Sequence, residues 1–333
     1  MKKKILITWW LGYIGSHAVV AFEEAGYETV TLDNLSNSCV TTLKDIHNLL
    51  GYKPKYYECD LRDRKKVFEV FNENNFDWVI HFAWAKAVWE SCEQPIYYFQ
   101  NNISGSLFLF EAMEKHNVKN IIFSSSATVY HQENTVPLIE TNKLGTTNPY
   151  GTTKLLLEKI LEDLSEFAWF NVINLRYFNP IGAHVSGLLW EDPDWIPNNL
   201  LPFIMKVANG KLDKLQVFWD DYDTIDGTWV RDYIDVKDLV EGHLLAYSKL
   251  QSQEKSFCDV YNLWIGKWIS VLEMITAARD ITWKEIPYNI VDRRIGDIWE
   301  VYCNPEKAIN ELWFETNVSL VESLENSWKF YNK

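Results

Sequence analysis

The sequence predicts an α/β protein, a Rossmann-like, doubly wound parallel sheet joined to a smaller mixed α/β unit. Three observations carry this. Short β-rich runs alternate with helical patterns through the first 180 residues, the arrangement of crossover units on a parallel sheet. Two glycines open the first strand-to-helix turn, and an aspartate closes the next strand. Beyond Pro180 the character changes to turn-rich segments such as AHVSGLLWEDPDWIPNN with shorter elements. The 333 residues suit two domains at ~150 residues each, placed at 1–180 and at 181–333, the second partly interleaved with the first.

Strands read at KILIT (4–8), ETVTL (28–32), KYYEC (55–59), WVIHFA (78–83) and NIIFSSS (120–126). The basic start MKKK before an apolar run imitates a secretory signal, but the run passes directly into an amphipathic helix, so it reads as the first strand. Helical spacing of apolar residues marks 14–25, 63–74 and 95–116, the last through SLFLFEAMEKH. A helix over 150–167 and a strand at NVINLRYF (171–178) complete the alternation.

With 46 acidic against 32 basic side chains the net charge is −14, which excludes nucleic acid and anionic membrane as main partners. No run of 18 uncharged apolar residues suggests a membrane span. The five cysteines (Cys39, Cys59, Cys92, Cys258, Cys303) are scattered and never spaced as CxxC; this fits reduced thiols in a cytoplasm better than disulfides or zinc. The seven histidines show no metal spacing, so no metal is expected.

One count is abnormal: 16 tryptophans against 14 glycines, about 4% glycine where ~7% is usual. Trp169 and Trp313 end helical patterns and Trp195 follows the turn-like EDPD, places that favour glycine. Core packing accounts for Trp78 and Trp328 but not for most of the others. Left-handed backbone costs a non-glycine residue ~1–2 kcal/mol, so several such sites rival a net stability of ~5–15 kcal/mol. The chain reads as an ordinary sequence with tryptophan in glycine's places.

Two constellations carry chemistry. In TWWLGYIGSH, Gly12 and Gly15 allow a tight turn and close backbone approach to a pyrophosphate at a helix N-terminus. Asp33 ends the second strand, where a carboxylate bonds ribose hydroxyls and repels a 2′-phosphate, favouring NAD over NADP. Further on, SSSATVY (124–130) closes the fifth strand, and Tyr150 and Lys154 follow four apart. On a helix that spacing puts them on one face, where the ammonium lowers the phenol's pKa and a nearby serine shares its proton. YxxxK alone has little meaning; serine-rich strand end, Tyr–Lys helix and following strand together place the group at the carboxyl edge of the sheet.

Over nearly the whole chain the sequence resembles the extended short-chain dehydrogenase/reductases and, within them, the UDP-galactose 4-epimerases. The resemblance rests on GYIGSH (12–17), DNLSNS (33–38), HFAWAKAVWES (81–91), FSSSATVY (123–130), NPYGTTK (148–154), LRYFNPIGAH (175–184), EDPDWIPNNLLPF (191–203), DGTWVRDYIDVKDL (226–239) and RRIGDI (293–298). It implies Tyr150 as catalytic base, Lys154 as its electrostatic partner and ribose anchor, and Ser126 as the hydroxyl on the substrate's 4-oxygen. It implies an NAD site of Gly12, Tyr13, Ile14, Gly15, Asp33, Asn34, Ser36, Asn37, Ser38, Asp60, Leu61, Phe82, Ala83, Lys86, Asn101, Ser124 and Phe178, with Tyr150 and Lys154. The UDP-sugar would be held by Asn179, Asn199, Leu200, Gln216, Val217, Phe218, Arg231, Arg294, Asp297 and Val301, besides Ser126 and Tyr150. Arg231 and Arg294 suit a diphosphate because guanidinium grips phosphate oxygens with paired bonds.

The implied activity interconverts UDP-galactose and UDP-glucose through a 4-keto sugar, with hydride lent to NAD and returned, in galactose metabolism. The modest side chain of Val301 leaves room for an N-acetyl group, which adds UDP-GlcNAc to the candidate substrates. A homodimer is implied, with the helical segment 95–116 as candidate interface. Two alternatives stand beside this: a cofactor-less scaffold or binding protein of the same fold, and a nucleotide-sugar 4,6-dehydratase. The latter needs an acid pair beside the serine, where this chain has Ser126-Ala127-Thr128. The departures concern glycine: Trp9 and Trp10 stand in the family's TGGxGYIG run, Trp84 and Trp89 at glycines beside the cofactor, and Trp229 in DGTGVRDY. The chain as written is therefore expected to bind NAD poorly, and a version with glycine at 9, 10, 84, 89 and 229 to be an active epimerase.

Overall fold

A computed structural model describes residues 2–35, 40–82, 85–191, 197, 199–252, 256–293 and 299–332. Its first half runs β1 (Lys4–Thr8), α1 (Tyr13–Glu24), β2 (Glu28–Asp33), α2 (Val40–Leu50), β3 (Lys55–Glu58), α3 (Arg64–Asn72), β4 (Trp78–His81), α4 (Val88–Glu93), α5 (Pro95–Tyr98), α6 (Gly105–Lys115), β5 (Asn120–Ser124), α7 (Pro149–Ala168) and β6 (Asn171–Arg176). The remainder is β7 (Asn179–Ile181), α8 (Leu200–Ala208), β8 (Leu215–Phe218), β9 (Val230–Asp235), α9 (Val236–Gln251), β10 (Phe257–Asn262), β11 (Trp268–Ser270), α10 (Val271–Thr282), β12 (Tyr288–Val291), β13 (Glu300–Val301), α11 (Glu306–Leu312) and α12 (Leu320–Tyr331).

Seven parallel strands form one sheet in the order β10-β6-β5-β4-β1-β2-β3. Residues 5–8 of β1 and all of β4 are buried, because helices cover both faces, as parallel sheets require. Side chains of α1, α2, α9 and α11 pack on one face, around Val19, Phe22, Ile46, Leu239 and Leu312. Those of α3, α6 and α7 pack on the other, around Val67, Phe110, Leu157 and Leu161. Strand order reverses between β1, which leads to β2, and β4, which leads to β5; a crevice opens at such a switch point, beyond the strands' carboxyl ends. A third core gathers α8, α10, α12 and β8 around Ile204, Met205, Met274 and Leu324. The small sheet β11-β9-β13, joined by β7 on β9, lies beside it in the topology.

Local chemistry sets the helix starts. Asn148 caps α7 by accepting from the Gly151 amide at 2.8 Å, with Pro149 at the first helical position. Ser270 and Glu273 form a reciprocal capping box on α10. Helix α2 was not anticipated, since the turn-rich DNLSNS obscured it, although Leu43 and Ile46 carry the helical spacing. The expected continuous helix over 95–116 is interrupted by a π-helical turn at Phe99–Ser104 that buries Asn101 and Asn102; wide turns of this kind concentrate at functional sites.

Helix ends expose an unusual substitution. After α1, α2 and α8 the chain turns through Gly26, Gly51 and Gly210 with φ of 91°, 78° and 78°. After α7, α10 and α11 the same left-handed backbone is held by Trp169, Trp283 and Trp313, with φ of 63°, 54° and 57°. Their indoles are 71%, 91% and 82% exposed, so packing does not offset the strain. Trp195, the other turn tryptophan, lies outside the described residues. Trp283→Gly and Trp313→Gly should each stabilise the protein by about 1 kcal/mol, read as a higher denaturation midpoint; a lower midpoint in both would show that the indoles contribute contacts.

Candidate active site

At the carboxyl edge by the sheet reversal lies a shallow cleft lined by Trp9, Leu32, Asp33, Asn34, Cys59, Asp60, Leu61 and Asn101. Of the residues assigned to NAD from the sequence, Asp33, Asn34, Asp60, Leu61 and Asn101 thus converge. Asp33 is almost wholly buried; its carboxylate accepts from the Leu11 amide at 3.1 Å and the Leu35 amide at 2.8 Å. This ties the β1–α1 turn to the end of β2. Asn34 donates to Asp60 at 3.0 Å, and Arg62 grips the same carboxylate at 2.9 and 2.7 Å. Hydrogen bonding by Arg62 holds the Asp60 carboxyl low, at about 2, so it is anionic at any physiological pH.

Whether these residues fit a dinucleotide turns on the β1–α1 turn. A Cβ at Gly15 would lie 2.4 Å from the Trp9 carbonyl oxygen and 2.7 Å from the Trp10 Cα, so α1 starts in the close approach that a pyrophosphate cradle uses. Gly12 is the helix N-cap and brings no capping side chain, which leaves the first-turn amides to an anion. The turn, the buried Asp33 carboxylate and the polar cleft lining therefore fit NAD. Two indoles oppose it: Trp9, with φ of 56°, lines the cleft, and Trp10 is fully buried beside α1 with its Nε1 unpartnered. Tyr13 turns away; its hydroxyl donates to the Gly182 carbonyl at 2.7 Å. Ile14 and Phe82 pack in the α1 core. Lys86 pairs with Glu191 at 2.8 Å. Ser36, Asn37, Ser38, Ala83 and Trp84 lie outside the described residues.

Helix α7 directs Tyr150, Lys154 and Glu158 inward at one-turn intervals, all buried. The Ser126 hydroxyl lies close enough to Tyr150 to favour its ionised form, and the Ser126 oxygen accepts from Thr128. Lys154 Nζ donates to the Ser124 carbonyl and lies 4.8 Å from the Phe123 ring centre and 5.9 Å from that of Tyr150. The structure thus brings together the three side chains that spacing and setting singled out. Their electrostatics differ from the simple expectation of a phenol lowered by its neighbour. Burial pushes the Tyr150 phenol up to about 12, opposed only by the Ser126 hydrogen bond. Burial pushes Lys154 down to about 7, opposed by the Glu158 carboxylate.

Three supporting residues escaped the sequence reading. Glu158 receives Arg176 on both oxygens, at 2.9 and 2.6 Å, and the Ser125 hydroxyl as well. Tyr177 bonds its hydroxyl to Ser124. Glu191 accepts both Lys86 and Asn199, the latter at 2.7 and 2.9 Å. Glu158 had a signal, since it continues the four-residue step of Tyr150 and Lys154; the other pairings span strands and had none.

The residues assigned to the UDP-sugar are placed as follows. Arg231 is buried, its guanidinium 5.9 Å from the Phe178 ring and 5.3 Å from the Trp229 ring. Val301 is in register with Arg231 and packs in a cluster with Ala127, Val129 and Trp264. Asn179 donates to the Asp232 carbonyl at 3.1 Å. On β8, Gln216 is exposed, Val217 enters the third core and Phe218 stacks on Trp229. Leu200 packs against the third core. Arg294 and Asp297 lie outside the described residues. Among the described residues no cluster of three or more His, Cys, Asp or Glu side chains suits a metal ion, and no helix is long and apolar enough to cross a membrane.

Comparison with known proteins agrees with this geometry. A family model described as the NAD dependent epimerase/dehydratase family matches residues 5–263. The chain is 50% identical over 328 residues to a UDP-glucose 4-epimerase of Bacillus subtilis, covering 98% of this chain and 96% of that one. It is 47% identical over 329 residues to a UDP-glucose 4-epimerase of Dictyostelium discoideum, covering 98% and 95%. Among solved structures, the UDP-glucose 4-epimerase of Bifidobacterium longum in complex with NAD+ and UDP superposes with a TM-score of 0.94 at 44% identity, covering 99% and 98% of the two chains. Sequence motifs, sheet topology and relatives matched from end to end lead to one assignment: the chain belongs to the NAD dependent epimerase/dehydratase family.

Proposed function

We propose that this protein is a UDP-glucose 4-epimerase, interconverting UDP-galactose and UDP-glucose through a 4-keto sugar. The observation that carries the reading is the buried group of Tyr150, Lys154 and Ser126 at the carboxyl edge of the sheet, in a chain whose relatives with this name match it along 98% of its length. The cofactor is NAD, as in the Bifidobacterium longum complex. Asp33, Asn34, Asp60, Leu61 and Asn101 would hold its adenosine end, and the α1 N-terminus would receive its pyrophosphate. When bound, NAD accepts a hydride from carbon 4 of the hexose and returns it.

The chain's own residues move the proton. Tyr150 Oη takes the 4-hydroxyl proton as carbon 4 becomes planar, and gives it back when carbon 4 is reduced from either face. Ser126 Oγ orients the 4-oxygen against Tyr150. Lys154 supplies the positive charge that favours the phenolate, with the Ser124 carbonyl fixing its ammonium. The Glu158 carboxylate favours the protonated ammonium, opposing part of the downward push of burial. Arg231 and Arg294 anchor the diphosphate, so the planar sugar turns about its link to UDP without leaving. Looseness at the hexose and firmness at UDP are both required.

Finer assignments follow from the same residues. Val301, small and beside Arg231, leaves room for an N-acetyl group, so UDP-GlcNAc is a second substrate. Helices α5 and α6 supply a homodimer interface, with Ile96 and Leu107 exposed on them. A cytoplasmic location suits the four described cysteines, all free. The scaffold reading is disfavoured by the intact buried trio, and the dehydratase reading by the absence of a carboxylate at 126–128.

Conversion of UDP-galactose to UDP-glucose with added NAD, in the chain and in its form with glycine at 9, 10, 84, 89 and 229, tests the proposal; inactivity of both overturns it. In the active form, Tyr150→Phe should lower kcat by ~10²–10⁴ with NAD content unchanged. Lys154→Met removes the buried cation 5.9 Å from the Tyr150 ring centre and should lower kcat by ~10²–10⁴ with the fold retained; an unchanged kcat would remove Lys154 from this role. Glu158→Gln leaves Arg176 buried beside a neutral partner and should cost up to about 3–5 kcal/mol of stability, measured by denaturant unfolding.

A further inference from the structure

Seven non-glycine residues have positive φ among the described residues, and five of them are tryptophan: Trp9, Trp169, Trp219, Trp283 and Trp313. Tryptophan has no affinity for that backbone, where any Cβ crowds the following carbonyl. Three of the five close helices in the same left-handed conformation that Gly26, Gly51 and Gly210 adopt at three other helix ends. At equivalent structural tasks, then, the chain alternates between glycine and tryptophan.

The side chains give independent testimony. A tryptophan retained for its indole is packed, and its Nε1 finds an acceptor when buried. Here the three helix-end indoles stand in solvent. Trp10, Trp190, Trp219 and Trp229 bury Nε1 without any hydrogen-bond partner. Trp9 occupies the wall of the cleft beside Asp33 and Asp60. Trp328 behaves otherwise: it sits inside α12 with helical backbone and packs against the third core.

We infer that the working polypeptide carries glycine at 9, 10, 169, 190, 219, 229, 283 and 313, because the cell that makes it decodes as glycine one codon that is written here as tryptophan. UGA, when it is not a stop, is rendered as tryptophan beside UGG under one decoding and as glycine under another, so tryptophan in this sequence stands for two codons of which the cell reads only UGG as tryptophan. The inference requires the eight positions to share UGA and Trp328 to use UGG. It also removes the conflict at the cofactor cleft, since glycine at 9 and 10 clears the wall and relaxes the turn under Gly15. It does not depend on which sugar nucleotide the enzyme takes.

The test is peptide sequencing by mass spectrometry of the protein isolated from its own cells, read beside the codons of its gene. Glycine at 169, 283 and 313 with tryptophan at 328 is expected; tryptophan at the three helix ends, or UGG among the eight codons, overturns the inference. A second arm uses recombinant protein. The form with glycine at the eight positions should retain NAD on the order of tenfold more tightly than the chain as written and should melt at higher temperature, both read without substrate. Equal NAD retention and equal melting would also overturn it. Failure of the epimerase assay with glycine confirmed by sequencing would instead count against the proposed reaction.

Discussion

One face of one helix ties the molecule together. Tyr150, Lys154 and Glu158 follow one another at single-turn intervals on α7, and each reaches a different point of the sheet's carboxyl edge: Ser126 just past β5, the Ser124 carbonyl at the end of β5, and Arg176 at the end of β6. The helix cannot slide or rotate without breaking all three. Glu158 and Arg176 are both buried, and a buried ion pair holds geometry more than it adds stability, because desolvation consumes most of its Coulombic gain. Here that geometry aims the phenol and the ammonium.

Burial makes the pair an unfinished machine. Removing water raises Tyr150 and lowers Lys154, so burial disfavours the charged form of each. The Ser126 hydroxyl opposes the first tendency and the Glu158 carboxylate the second. The same low dielectric that penalises each charge alone strengthens their attraction when both are present.

Much of the architecture was legible because it follows from periodicity. The parallel core strands, the helices that cross between them and the Tyr–Lys helix each leave a pattern of apolar positions or caps within a dozen residues. Helix α2 was hidden by the turn-rich segment before it, and the π-helical turn at 99–104 by the smooth helical spacing around it; neither departs from periodicity strongly enough to show. Trp169 and Trp313 were legible as glycine positions, since a helix must end where its pattern stops. Trp219 was not, because nothing local marks the left-handed turn that follows β8.

By itself the sequence determined the alternating parallel sheet, the glycine turn with Asp33 beyond it, and the joint appearance of Ser126, Tyr150 and Lys154, all consequences of local spacing. Tertiary structure alone decided that Asp33, Asp60 and Asn101 share one cleft, that Arg176 and Glu158 stand behind Lys154, and that Tyr13 faces Gly182 instead of the cleft. Those pairings join strands far apart in the chain, and their partners are chosen by sheet order and by the desolvation each buried charge must have compensated, which no short window of residues records.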